Sequence, residues 1–369
     1  MTAPPSSPPG RLPPLGIGDD LTREAVLAWL RETDETQLEP LWRLADETRR
    51  RYVGDAVHLR GLVEVSNYCV RGCTYCGIRV GNRAVRRYRV PASEVLDCAR
   101  KARAFGYGTV VLQSGEDYGL DTDWVADVVR RIKTETGPAV TLSLGERPDA
   151  DLEAWRAAGA DRYLLRFETS DEALYRRIHP DLPGKVSDRL AMLRTLQNLG
   201  YEAGTGIMVG IPGQTYASIA DDIDLFRGMD MDMIGLGPYL PHPATPLGEE
   251  FERRRAAGDW PADQAQNDEL TTCRVLALTR LARPDANLPT TTALSLADKN
   301  TGRAHGLARG ANVVMPNLTP PEYRAKYEIY PEKAAVHETA EAVNASIQAL
   351  LRELGRTLGA GPGGRRATP

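Results

Sequence analysis

Eight short apolar runs, alternating with stretches of helical periodicity, constrain this chain more than any other feature. The runs fall at 59–65, 109–113, 139–144, 162–166, 203–209, 233–237, 287–291 and 312–315. Amphipathic segments separate them at 92–105, 123–136, 149–158, 186–199, 216–229, 263–282 and 303–308. Strands this short and this uniformly apolar suit a parallel sheet buried on both faces, with helices as crossovers. Eight such units close into a full (βα)8 TIM-type barrel, so the α/β class is expected. Residues able to cap helices sit at the starts of two segments, Ser93 with Glu94 after Pro91, and Ser187 with Asp188.

The barrel is expected over 57–331, with a helical pair at 19–56 forming a cap over one end and a last helix at 332–358 sealing the outside or base. Residues 1–18 are rich in Pro and Ser without an apolar stretch, and read as a disordered tail with no signal peptide. Residues 359–369, Gly-rich with Arg365 and Arg366, read as a second flexible tail. With 42% apolar residues a large core is possible, and a net charge of -4 gives no reason to expect nucleic acid or an anionic membrane as partner. A small-molecule substrate is the expectation.

The first strand runs into Cys69, Cys73 and Cys76, three of the chain's 5 cysteines, spaced C-x3-C-x2-C. Thiolates are soft ligands for iron–sulfur clusters or zinc. Structural zinc wants a fourth Cys or His, and His58, His179, His242, His305 and His337 are scattered. Cys98 and Cys273 stand alone in helix-like sequence, where cysteine serves as a small buried apolar residue. Clustered thiols in odd number also point to a reducing, intracellular compartment. A cluster held by three ligands leaves one iron free to chelate a substrate.

Polar and glycine-rich segments fall where strands should end, the position of active-site loops in such barrels. They are Gln113-Ser114-Gly115-Glu116-Asp117, Ser143-Leu144-Gly145-Glu146, Arg166-Phe167-Glu168-Thr169, Gly210-Ile211-Pro212-Gly213-Gln214-Thr215, Gly237-Pro238 with Pro241-His242-Pro243, Thr290-Thr291-Thr292 and Met315-Pro316-Asn317. The glycine-rich stretch 204–215 lacks the Gly-Lys-Ser/Thr ending of a phosphate loop, so nucleoside triphosphate binding is not expected. Its glycines serve either a ligand or tight packing. Tyr323, Tyr327 and Tyr330 recur at helical spacing, which reads as packing or as a cap over the cavity.

The cysteine spacing, with Tyr75 as an aromatic just before the last cysteine, resembles the radical S-adenosylmethionine superfamily. Together with the phrases at 111–117, 140–146, 159–166, 208–215, 237–247 and 311–317, it is similar to the HydE family, radical maturases that help build the active-site cluster of [FeFe]-hydrogenase. Methylornithine synthase and biotin synthase are relatives of the same barrel. The resemblance implies one [4Fe-4S] cluster on Cys69, Cys73 and Cys76, and S-adenosylmethionine held by Tyr75, Ser114, Gly115, Glu116, Arg166, Glu168, Arg189 and Ile207. Glu168 would take the ribose diol, Arg189 the methionine carboxylate, and Ile207 would lay its backbone edge against adenine. The same resemblance places Gln113, Thr141, Arg162, Met233, Thr291, Thr292, Met315, Tyr327 and Tyr330 around the substrate.

It further implies a cytoplasmic enzyme working with other hydrogenase maturases and a reductant such as ferredoxin or flavodoxin, on an iron–cysteine carbonyl/cyanide complex. Some family members carry further cysteines near the C-terminus for an accessory cluster; none follows Cys273, so a second cluster is not expected. Two other readings stand beside this one. The first is a radical amino-acid mutase like methylornithine synthase, and the second a non-catalytic iron–sulfur electron carrier.

Overall fold

The computed structural model describes residues 12–331 and 338–365. Eight parallel strands close on themselves: β1 (Ala56–Ser66), β2 (Thr109–Ser114), β3 (Ala139–Ser143), β4 (Arg162–Leu164), β5 (Glu202–Val209), β6 (Met233–Pro238), β7 (Pro289–Thr290) and β8 (Val313–Val314). Each pairs with the next, and β8 and β2 both pair with β1, so the barrel has no open edge. The (βα)8 class is therefore as the sequence indicates. No helix among the described residues is long and apolar enough to cross a membrane.

Capping chemistry sets the helix starts. Asp188 accepts from the amide of Ala191, and the helix begins at Arg189 rather than at 186. Thr215 and Ser218 form a reciprocal capping box at the head of the helix Tyr216–Met229. The expected cap at Ser93 is not used, because Pro91 stands at the cap position and Ser93 lies inside the helix Ala92–Ala104. Three helices escaped the periodicity reading: Glu172–Ile178, Pro246–Ala257 and Thr292–Ala297. All are short or strongly polar.

The N-terminal helices Arg23–Arg31 and Glu35–Val53 do not cover an end of the barrel. They pack on its outside, against the helices Tyr216–Met229 and Glu269–Ala282. The physical cause lies in Glu269–Ala282, which is buried on every side from Thr271 onward and so needs a second layer beyond the barrel wall. Leu38, Leu41, Trp42 and Ala45 supply that layer.

The C-terminal part also departs from expectation. Its helix runs Ala340–Glu353, and the first residues of the expected segment lie outside those described. Beyond it, β9 (Thr357–Leu358) adds to β1 beside Ala56 and Val57. Residues 359–365 are then bound at the strand starts rather than free. The carbonyl of Gly363 accepts from Arg60 (3.1 Å) and Asn287 (3.3 Å), and that of Pro362 from Thr109 (2.9 Å). Arg365 pairs with Asp285 and Asp230 at 2.6 and 2.8 Å. Buried donors at the barrel floor, Arg60 above all, require acceptors there, and a glycine-rich strand end can bring its carbonyls close enough.

Candidate active site

β1 ends at Ser66, and the chain enters an irregular loop up to residue 91 that is pinned from several sides. Buried Asn67 accepts from the Tyr88 amide (2.7 Å) and donates to the carbonyls of Arg86 (2.9 Å) and Lys326 (2.7 Å). Amides of the loop donate to other segments: Val70 to Glu116, Thr74 to Ile178 and Gly77 to Ile329. Cys69, Cys73 and Cys76 thereby face one cavity of about 250 Å³ at the strand ends. Burial raises all three thiols, Cys73 to about 12, so a bound metal must supply the positive charge that favours thiolate. Among the described residues no three Cys, His, Asp or Glu converge as ligands of a single ion. A cube takes one thiolate at each of three irons, so wider spacing suits it.

Ser114, Gly115 and Glu116 face the same cavity. Gly115 is required by space, since a Cβ there would lie 2.3 Å from the Tyr68 carbonyl oxygen and 2.7 Å from Cys69 Cβ. Glu168 holds a φ of 67°, a left-handed conformation costly for glutamate and typical of functional positions. Its Oε2 is buried, lies 3.1 Å from the Arg166 guanidinium, and makes no hydrogen bond within the described residues. Such a carboxylate is open to a donor such as a ribose hydroxyl.

Arg189 is held on three sides. Nη1 donates to the Arg166 carbonyl (2.6 Å), Nε to Glu146 (3.2 Å) and Nη2 to His179 Nε2 (2.5 Å). Burial, with Arg189 and Arg71 beside it, lowers His179 to about 2, so the ring stays neutral and Nε2 is free to accept. Three of the five N–H donors of Arg189 are thus engaged, and the others can fork onto a carboxylate. Glu146 is the hub of this network. It accepts from Ser187 (2.5 Å) and lies 2.9 Å from Arg71, which itself donates to Glu116 (2.9 Å). Arg71 stands between Cys69 and Cys73, so the cysteine loop and the surroundings of Arg189 share one buried set of charges. Sequence reasoning assigned no role to Glu146, Arg71 or His179. Gly145-Glu146 repeating Gly115-Glu116 one strand later was the available signal.

Other expected site residues separate into two groups. Tyr75, Arg166, Gln113, Tyr327 and Tyr330 line the cysteine cavity, with Gln113 donating to the Tyr327 hydroxyl at 3.2 Å. Tyr330 also hydrogen-bonds the Thr292 side chain, which is not part of that lining. Tyr323 does not join them: only Pro321–Arg324 is helical, and Tyr323 packs on Tyr88 and donates to Glu94. Thr291 is used by the fold, capping the helix Thr292–Ala297 and donating to the Leu236 carbonyl. Ile207 is a core residue beside Gly206, where a Cβ would meet the Gly235 carbonyl at 1.9 Å, and its own carbonyl accepts from Arg166. Close packing explains that glycine. Met315 follows β8 and is half-buried.

Thr141, Arg162 and Met233 sit apart, around a nearly filled space of about 10 Å³ toward the strand starts. Arg162 pairs there with Glu202 (2.5 Å) and donates to Thr109 (3.0 Å), while Arg60 donates to the Met233 sulfur (2.9 Å). The side chain expected to face a substrate is spent on the barrel floor, because buried guanidinium needs a carboxylate within reach.

A closed parallel barrel with three thiols, a strand-end Ser-Gly-Glu and a strained glutamate around one cavity defines a radical S-adenosylmethionine enzyme, and residues 63–226 match the model of the Radical SAM superfamily. Over 347 residues the chain is 44% identical to the [FeFe] hydrogenase maturase subunit HydE of Thermotoga maritima, covering 94% of each chain. It belongs to the HydE family. A 3-methylornithine synthase of Methanosarcina acetivorans is 29% identical over 304 residues, 80% of this chain and 79% of the relative. The crystal structure of methylornithine synthase (PylB) superposes with a TM-score of 0.76 at 24% identity, over 92% of this chain and 94% of that one, a likeness of fold alone.

Proposed function

We propose that the chain binds one [4Fe-4S] cluster on Cys69, Cys73 and Cys76, binds S-adenosylmethionine between Gly115, Glu168 and Arg189, and uses the resulting radical on an iron–cysteine carbonyl/cyanide complex during maturation of [FeFe]-hydrogenase. Support for the cofactor half is the convergence of those residues on one cavity. Support for the substrate half is identity to HydE along nearly the whole chain. Cytoplasmic location and work alongside other maturases belong to the same proposal, as does a single cluster in a chain with no cysteine after Cys273.

A cluster held by Cys69, Cys73 and Cys76 would supply one-electron reduction of the sulfonium of S-adenosylmethionine, and with it radical chemistry. The chain's own residues do the rest. Arg189, fixed by Glu146, His179 and the Arg166 carbonyl, takes the methionine carboxylate in a rigid fork. The carbonyl edge of 114–116 receives the amino group, and Glu168 accepts from the ribose hydroxyls. Gln113, Tyr327 and Tyr330 bound the space beyond, and burial keeps both phenols protonated as donors. Exclusion of water and fixed orientation are the protein's contribution.

Anaerobically reconstituted protein with dithionite is expected to make 5′-deoxyadenosine, faster when the iron–cysteine complex is added, and Cys69→Ala, Cys73→Ala or Cys76→Ala to abolish it together with cluster absorption. Cleavage indifferent to the complex but stimulated by an amino acid would move the substrate toward that of methylornithine synthase. Full activity in a cysteine variant would refute the cofactor assignment.

A further inference from the structure

The loop that follows the cysteines has a charge unlike the rest of the molecule. Between Ser66 and Pro91 there are six arginines and no acidic residue, in a chain of net charge -4. Two of the six are neutralised: Arg71 by Glu116 and Glu146, and Arg89 by Asp117 at 2.7 Å. Arg79, Arg83, Arg86 and Arg87 are paired with no carboxylate among the described residues. Arg79 donates to the carbonyls of Cys73 (2.9 Å) and Gly72 (3.2 Å). Arg87 donates to those of Asn67, Ile78, Arg79 and Asn82. Backbone carbonyls fix these guanidiniums without cancelling their charge. Arg83 and Arg86 stand exposed at the tip.

The loop is preformed as well as cationic. The Val80 amide donates to Arg71 and the Asn82 side chain to Gly77 (2.7 Å), closing a tight turn. A surface ordered before binding loses less freedom on complex formation. Apolar anchors accompany the charge. Three of the five exposed large hydrophobic residues described, Tyr68, Val80 and Tyr118, lie on this loop or on the strand end it packs against. Small apolar contacts inside a charged rim are the anatomy of a transient protein interface. The position matters most: Tyr68 adjoins Cys69, and Arg79 binds the carbonyl of Cys73, so this face lies directly outside the thiols.

From these observations we propose that loop 77–89, with Tyr68 and Tyr118 at its border, is the docking surface for an acidic one-electron carrier protein. The proposal rests on the cluster assignment above. In the docked complex one electron leaves the carrier's reduced cofactor and one enters the cluster, the carrier being oxidised and the cluster reduced by the same single equivalent, with no bond made. Cationic charge at this face brings an acidic carrier to the side of the barrel that bears the thiols, and speeds the encounter at low salt.

The test uses the full-length protein and a strongly acidic bacterial flavodoxin as probe. Binding is measured calorimetrically at low and high salt for wild type, Arg83→Glu/Arg86→Glu and Arg83→Lys/Arg86→Lys. Wild type and the Lys pair are expected to bind alike and to weaken with salt, and the Glu pair to bind at least about 10-fold more weakly at low salt. Formation of 5′-deoxyadenosine driven by reduced flavodoxin should fall in the Glu pair, whereas formation driven by dithionite should not. Equal binding by wild type and the Glu pair, equal weakening in the Lys and Glu pairs, or preference for a DNA oligonucleotide over flavodoxin would each overturn the proposal. Because binding needs no turnover, failure of dithionite-driven cleavage in wild type would strike the catalytic reading and leave the docking result standing.

Discussion

Glu146 shows how a residue without an assigned ligand can govern two sites. Its carboxylate spans Arg71, inside the cysteine loop, and Arg189, at the far wall of the cavity. Glu146→Gln keeps the shape but removes the charge that balances two buried guanidiniums. A hydrogen bond to a charged group contributes about 1.5–3 kcal/mol. The variant is therefore expected to weaken S-adenosylmethionine binding about 10- to 100-fold, read as a rise in the concentration needed to perturb the reduced cluster's electron paramagnetic resonance signal. Unchanged binding would show that Arg189 is held by His179 and Arg166 alone. At this scale the sequence was only partly legible. Cys69, Cys73 and Cys76 declare themselves by spacing, since one loop must present all three. Glu168 and Arg189 were legible only through family resemblance, and for Arg162 the resemblance misled: it opens β4, at the end of the barrel opposite the strand-end loops, where Glu202 holds it.

Elements were more legible than residues, and the exceptions share a cause. Strands apolar throughout and separated by amphipathic segments leave little choice but a parallel barrel, so β1 to β6 lie close to where their patterns put them, while β7 and β8 shrink to two residues each. The helix Glu269–Ala282 hid its role, since burial on all sides became visible only when Glu35–Val53 was found against it. The helix Tyr216–Met229 carries an unexpected buried acid. Asp222 accepts from the Ser170 amide (2.6 Å), two residues beyond strained Glu168, while its other oxygen finds no partner among the described residues. Burial, with Asp221 and Asp171 adding like charge, raises Asp222 from 3.8 to about 7. A folded pKa above the unfolded one means full stability below about pH 4, lost progressively as pH rises to about 7. Asp222→Asn, which keeps the acceptor for Ser170, is expected to raise stability at pH 8 by a few kcal/mol, at most about 4. The gain should disappear at pH 4, as denaturant unfolding at the two pH values would reveal.

On the scale of the whole molecule, both ends of the described chain bind where sequence placed them elsewhere or left them free. Residues 359–365 supply acceptors to Arg60, Asn287 and Thr109 and bring Arg365 to Asp230 and Asp285. A chain ending at Leu358 would leave Arg60 buried with its pKa already depressed to about 9 and fewer partners. Hydrogen bonds contribute about 1 kcal/mol each, so that variant should melt several degrees lower in differential scanning calorimetry. An unshifted melting curve would mean that the floor rearranges at no cost. The cavity lies at the opposite end, so binding of S-adenosylmethionine by the truncated protein is expected to persist.

The pinning of the cysteine loop by Lys326 and Ile329 has a consequence in time. The thiols at 69–76 are synthesised roughly 250 residues before the carbonyls that fasten their loop. At about 5–20 residues per second, that interval is on the order of tens of seconds. During it the three cysteines belong to a nascent chain with no wall around them, exposed to any oxidant or stray metal that reaches the ribosome. The finished loop is walled in by the segments that pin it; until they are made, the thiols depend on the cell for protection.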